Sequence, residues 1–159
     1  MKKLVLLRHG EITGFENRYL GVTDAHLSVK GVEQGVRAAD SLSLTNFDNI
    51  YCSPLERCRE TLKLLKQKEY VVYDERLTEV NFGLWEGKTF SEINGQYPEI
   101  VKKWAEGDPE FGFPEGDTIK NFRNRISDFA QHLYSSEGQN LLIVTHGGVI
   151  RHLICALLN

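Results

Sequence analysis

Lys3-Leu4-Val5-Leu6-Leu7-Arg8 is a short, nearly unbroken apolar run that passes directly into His9-Gly10. A run this brief, rich in Leu and Val and lacking polar alternation, predicts a strand covered on both faces. Asn140-Leu141-Leu142-Ile143-Val144-Thr145 is a second run of the same kind, and it ends in His146-Gly147-Gly148. Asn49–Ser53 is a third strand candidate and Tyr70–Tyr73 a weaker fourth. Between them, apolar residues recur at helical spacing: Val29, Val32, Val36, Ala39 and Leu42; Leu55, Cys58, Leu62 and Leu65; Ile119, Phe122, Ile126, Phe129 and Leu133. Val149–Leu158 is apolar enough for one more helix. Strands alternating with helices of this length predict an α/β sandwich on a largely parallel sheet, where ligands bind beyond the carboxyl ends of the strands.

The chain of 159 residues suits one domain, residues 1–159, with one core; no repeat or linker divides it. The stretch from Phe82 to Asp117 holds Gly, Pro and aromatics with only short helical runs, and reads as an excursion over the ligand edge. A net charge of -3 argues against a sequence-independent nucleic-acid binder, yet allows a few arginines to focus an anion in a cleft. No apolar run approaches the roughly 20 residues that a spanning helix needs. Met1-Lys2-Lys3 resembles the start of a signal peptide, but the apolar run behind it is too short, so a cytoplasmic protein is expected. Cys52, Cys58 and Cys155 show no Cys-x-x-Cys spacing, which points to buried free thiols rather than disulfides or zinc.

Three features fall at predicted strand ends: Arg8-His9-Gly10, His146-Gly147-Gly148 and Ser53-Pro54-Leu55-Glu56-Arg57. In the last, Ser53 reads as an N-cap, Pro54 as the first helical residue and Glu56 as the partner of a capping box. Arg57 then sits in the first turn and leans back toward the sheet edge. Gly147 and Gly148 open a helix whose free N–H groups favour an anion. Two arginines, two histidines and a helix N-terminus at one edge suit a phosphate group: guanidinium donates bidentately to its oxygens. A neutral imidazole can attack phosphorus, and a second, cationic or hydrogen-bonding, can steady the equatorial oxygens. No metal and no cofactor is needed if the arginines hold the charge. A proton donor for the leaving alkoxide remains to be chosen between Glu79 and Glu86; apolar neighbours of Glu79 would keep it protonated. His26, His132 and His152 read as surface or helix-face residues.

These residues resemble the histidine phosphatase superfamily, also called the phosphoglycerate mutase-like family, in order along almost the whole chain. Arg8-His9-Gly10-Glu11 is similar to its signature, Asn17 to Ser28 to the segment that follows, and Cys52 to Thr61 to the block with the second arginine. Leu77 to Gly87, Pro114 to Thr118 and Val144 to Gly148 resemble the remaining blocks. The resemblance implies a three-layer α/β/α sandwich, a phosphohistidine on His9, a pocket of Arg8, His9, Arg57 and His146, and Glu79 as the acid. Gly147 joins Arg8, Arg57 and His146 as a substrate contact. Ile12-Thr13-Gly14-Phe15 is one residue shorter than the family pattern, so the phosphoryl contact of the family's asparagine falls to Thr13 or Asn17. Many members carry a further strand and helix beyond the position of Asn159, so the chain is expected to be either a short member or a truncated one.

Mutases need added cationic groups and a lid against water; here Lys88–Phe113 is short and carries Glu106, Asp108 and Glu110. Phosphatase activity is therefore expected, and Arg18 to Asp24 with Trp85-Glu86-Gly87 resembles the α-ribazole phosphatases of cobalamin synthesis. The expected partner is a small phosphorylated metabolite, best matched by α-ribazole 5′-phosphate, with no nucleic acid or membrane, in a monomer or homodimer. The alternatives are a phosphoglycerate mutase and a non-catalytic module that holds phosphorylated ligands.

Overall fold

The computed structural model describes residues 2–67 and 70–158. Met1 and Asn159, which bound the expectations about the chain's ends, lie outside that set. Four parallel strands, β1 (Lys3–Arg8), β2 (Asn49–Cys52), β3 (Val71–Tyr73) and β4 (Asn140–Thr145), form one sheet in the order β1-β4-β2-β3. The last strand in sequence thus lies between the first two. Six α-helices accompany them: α1 (Val29–Leu42), α2 (Glu56–Leu64), α3 (Phe90–Gln96), α4 (Pro98–Ala105), α5 (Ile119–Ser135) and α6 (Gly147–Leu158).

Period-two alternation in the strands sorts the core into two layers. Leu141 and Ile143 of β4 and Tyr51 of β2 join Phe122, Ile126, Phe129 and Leu133 of α5 and Val149 and Leu153 of α6. Leu142 and Val144 point the other way, onto Ile50, Cys52, Cys58, Leu62 and Leu65 with Ala38, Ala39 and Leu42 of α1. Helices therefore cover both faces, and the three-layer α/β/α sandwich follows. Among the described residues, no helix is long and apolar enough to cross a membrane.

The structure corrects the predicted face of α1. Val29 is 82% exposed, and Val32 and Val36 also face outward, while Gly31 and Gly35 are buried. The reason is close packing: a Cβ on Gly35 would stand 2.5 Å from Leu64 Cδ1 of α2. Gly35 lets α1 approach α2, and Gly31 lets it approach the Glu11 backbone, where a Cβ would fall 2.0 Å from the Glu11 carbonyl oxygen; these close approaches outweigh the pull of the valine stripe. A smaller difference lies in Cys155, which is exposed on α6 rather than buried like Cys52 and Cys58.

The segment from Phe82 to Asp117 holds α3, α4 and an aromatic cluster. Trp85 is fully buried, with Trp104 and Phe113 at ring-centroid distances of 5.8 and 5.2 Å. Tyr19 meets Phe82 and Trp85 edge-on at 5.2 and 5.8 Å, which ties the cluster to the loop after β1.

Candidate active site

Parallel register sets the site. Arg8 pairs with Thr145, and Cys52 with Val144. The His9 N–H donates to the Thr145 carbonyl at 3.0 Å and the Ser53 N–H to that of Val144 at 2.9 Å. His9, His146 and Ser53 consequently leave three adjacent strands side by side. The His9 and His146 rings meet edge-on, with centroids 5.1 Å apart.

His9 Nδ1 lies 2.7 Å from the Gly10 carbonyl oxygen. A carbonyl only accepts, so Nδ1 carries the proton and the Nε2 lone pair is left free. The Gly10 N–H is held in turn by Thr61 Oγ1 of α2 at 3.1 Å. Burial lowers the His9 pKa to about 4; Arg57 and Arg8 push the same way and the Gly10 bond opposes them. The ring is therefore a neutral base at physiological pH. A depressed histidine also makes the ligand-free protein acid-sensitive. Its full stability is present above the unfolded-state value of about 6.5, and is lost as pH falls toward about 4, because the unfolded chain binds that proton more readily. His9→Asn is thus expected to melt increasingly above wild type as pH drops from 7 to 4.5, in a Tm series; a gap that stays constant with pH would contradict it.

Arg57 is buried, and its fork is directed by three acceptors. Nε donates to His146 Nδ1 at 3.2 Å, Nη1 to the Thr23 carbonyl at 2.9 Å and Nη2 to the Gly21 carbonyl at 2.5 Å. With Nδ1 accepting, His146 carries its proton on Nε2, which lies 2.8 Å from Ser53 Oγ. Burial, with Arg57, His9 and Arg8 adding to it, drives the His146 pKa far down. Of the two forms expected of the second imidazole, cationic or hydrogen-bonding, His146 takes the neutral, hydrogen-bonded one. His146 is fully buried behind Arg57 and does not line the cleft.

Ser53 also departs from the expected capping box. Helix α2 starts at Glu56, with Leu55 as N-cap and no side-chain cap bond. The Ser53 hydroxyl is taken by His146, and Asp24 Oδ1 accepts the Glu56 N–H at 2.8 Å in its place.

Glu79 lines the cleft, and its neighbours are N–H donors rather than the apolar side chains expected. Oε2 accepts from Gly148 N at the start of α6 at 2.9 Å, and Oε1 from Val80 N at 3.0 Å. The group held at that helix N-terminus is thus the protein's own Glu79 carboxyl. A Cβ on Gly148 would stand 2.3 Å from Glu79 Oε1, so the approach needs glycine. Arg125 of α5 fixes the backbone here: Nη1 donates to the Thr78 carbonyl at 2.7 Å and Nη2 to that of Glu79 at 3.3 Å.

Arg8, His9, Arg57 and Glu79 share one cleft of about 370 Å³, whose outer wall includes Glu11, Ile12, Phe15, Glu16, Asn17, Arg18 and Leu20. Asn17 reaches it in a left-handed conformation, φ 59°. Thr13 does not line the cleft; its N–H is bonded to the His26 carbonyl at 3.1 Å. Gly147 lies beside it, where a Cβ would come 3.7 Å from Arg8 Nε. Sequence reading missed Ser53 as a partner of His146, and Thr61 and Arg125 as supports. Among the described residues, no group of three or more His, Cys, Asp or Glu side chains is arranged to hold a metal ion.

Comparison with known proteins agrees with this geometry. Residues 4–159 match the family model of the histidine phosphatase superfamily, branch 1. The chain is 33% identical to phosphoserine phosphatase 1 of Hydrogenobacter thermophilus, over 99% of this chain and 77% of that protein. It is 32% identical to the adenosylcobalamin/alpha-ribazole phosphatase of Salmonella typhimurium, over 98% of this chain and 79% of that one. The crystal structure of the alpha-ribazole phosphatase from Shigella flexneri superposes with a TM-score of 0.88 at 30% identity, over 96% of this chain and 77% of that one. A match over nearly the full chain, on a sheet that brings the paired histidines and arginines to one edge, means that this protein belongs to the histidine phosphatase superfamily.

Proposed function

We propose that the protein is a phosphomonoesterase that hydrolyses a small phosphorylated metabolite through a phosphohistidine on His9, without a metal ion. The observation that carries this reading is the His9 ring itself, neutral and with Nδ1 committed to the Gly10 carbonyl, so that Nε2 is the nucleophile. In the first step Nε2 bonds to phosphorus, the ester P–O bond breaks, and Glu79 gives its proton to the departing alkoxide. In the second, water attacks the phosphohistidine, Glu79 takes a proton from that water, and phosphate leaves as His9 regains its lone pair. Arg8 and Arg57 supply the positive field for the equatorial oxygens. That donor set gives the charge neutralisation a divalent ion would otherwise bring.

The outer wall bears on the substrate. Phe15, Ile12 and Leu20 form an apolar surface, and the carboxylates beside it are Glu16 and Glu11, the latter paired with Lys30 at 2.8 Å. Arg18 is engaged by Glu92 at 3.1 Å and by the Gly87 carbonyl at 2.7 Å. Such a wall disfavours the carboxylate and second phosphate of a bisphosphoglycerate, which speaks for hydrolysis over mutase chemistry. It favours an organic group with an apolar or aromatic body, and α-ribazole 5′-phosphate is the substrate proposed; two of the similar proteins carry that activity in their names. Phosphoserine, the amino-acid ester suggested by another relative, is its main competitor.

The test is a screen of phosphorylated metabolites with free phosphate as readout, run with and without EDTA and vanadate. The expected result is release from α-ribazole 5′-phosphate that EDTA leaves unchanged and vanadate abolishes. Loss with EDTA would overturn the metal-free chemistry. Exchange between phosphoglycerate positions without release would make the protein a mutase.

A further inference from the structure

Glu86 is the acid candidate that the reaction does not use, and it does not line the cleft. Its carboxylate is instead filled by backbone. Oε1 accepts from Gly21 N and Val22 N at 3.1 Å and from Phe82 N at 3.0 Å. Oε2 accepts from Gly21 N at 3.0 Å and Thr23 N at 3.4 Å. The Gly21–Val22 peptide presents its other side to Arg57: its N–H meets Glu86 and its carbonyl, that of Gly21, receives Nη2, while the Thr23 carbonyl, further along the same loop, receives Nη1. One carboxylate and one guanidinium therefore grip residues 21–23 from opposite sides.

We propose that Glu86 is a positioning residue for Arg57, holding the loop whose carbonyls aim the guanidinium at the phosphoryl group. Each Nη of Arg57 spends one N–H on a loop carbonyl and keeps one for the cleft. The direction of the second is therefore set by the place of the first. A carboxylate accepting the Val22 N–H also polarises the Gly21–Val22 peptide and strengthens the Gly21 carbonyl as an acceptor. The loop is built for this close approach: a Cβ on Gly21 would fall 1.7 Å from the Val80 carbonyl oxygen and 2.6 Å from Glu86 Oε1. Removing the carboxylate strands the N–H groups of residues 21–23 and frees both carbonyls to turn away.

This inference rests on the reading of Arg57 as phosphate anchor, and the experiment separates the two. Vanadate affinity by calorimetry, kcat and KM on p-nitrophenyl phosphate, and Tm are measured for Glu86→Gln and Glu86→Asp, alone and combined with Arg57→Ala. Glu86→Gln is expected to weaken vanadate binding about 10-fold, the scale of losing charge-assisted hydrogen bonds. Glu86→Asp, which keeps the charge but draws it back, falls between and serves where the Gln variant folds poorly. In the Arg57→Ala background the same change costs less than about twofold, because the group it positions is gone. Unchanged vanadate affinity in Glu86→Gln, or losses that multiply fully with Arg57→Ala, would overturn the proposal while leaving Arg57 as anchor. A loss confined to esters with poor leaving groups would overturn it too, by returning Glu86 to the acid role. Failure of the wild type to bind vanadate would remove both readings.

Discussion

Changing His9 to alanine is expected to lower turnover of phosphomonoesters by about 10⁴-fold or more, the scale of deleting a covalent nucleophile, if the proposed phosphohistidine forms on it. The residue cannot be bypassed, because the second imidazole at this edge is spent: His146 has Nδ1 on Arg57 and Nε2 on Ser53, and is fully buried. The variant should keep its ability to bind vanadate weakly, since Arg8 and Arg57 remain. The decisive measurement is covalent labelling by a phosphate donor. Wild type is expected to acquire a label that acid removes and base does not, as for phosphorus bonded to imidazole nitrogen, and His9→Ala to acquire none. Labelling that persists in the variant would move the nucleophile elsewhere.

Glu79→Gln is the second large effect, and its size depends on the leaving group. An alkoxide leaves poorly without a proton, so hydrolysis of alkyl phosphates is expected to fall by about 10² to 10⁴-fold, the usual contribution of a positioned acid. Nitrophenolate leaves without help, so p-nitrophenyl phosphate is expected to lose far less in its phosphorylation step. Glutamine keeps an oxygen to accept one of the N–H bonds from Gly148 and Val80, which limits structural damage. Rapid-quench measurement of phosphoenzyme formation with both ester classes separates the steps. Equal losses on both classes would take Glu79 out of the acid role.

The strands and most helices were legible in the sequence because their signals are local. The apolar runs at Lys3–Arg8 and Asn140–Thr145 match β1 and β4 end to end. What failed was decided by partners distant in sequence. Ser53-Pro54-Leu55-Glu56 fits the template of a capping box, yet the serine hydroxyl is drawn to His146 and the cap comes from Asp24. The valines of α1 carry the stronger apolar stripe, but glycine-mediated contact with α2 turned them outward. Glu79 looked like a carboxyl among apolar neighbours, and the donor that orients it belongs to Gly148. Nothing near Glu86 discloses that its carboxylate faces residues 21–23. Residue types at the strand ends were readable from chemistry; their pairing was a property of the assembled sheet.

The strand order has a consequence in time. Because β4 enters between β1 and β2, Leu4 pairs with Leu141 and Ile50 with Leu142, contacts that close very long loops. Loop closure of that kind is slow, and no shorter hairpin can stand in for it. During synthesis β1 and β2 have no sheet partner in each other until residues 140–145 arrive. A nascent chain can thus carry Arg8, His9, Arg57 and Glu79 before His146 and Gly148 are there to orient Arg57 and Glu79. The edge that carries both histidines is completed only when β4 enters between β1 and β2.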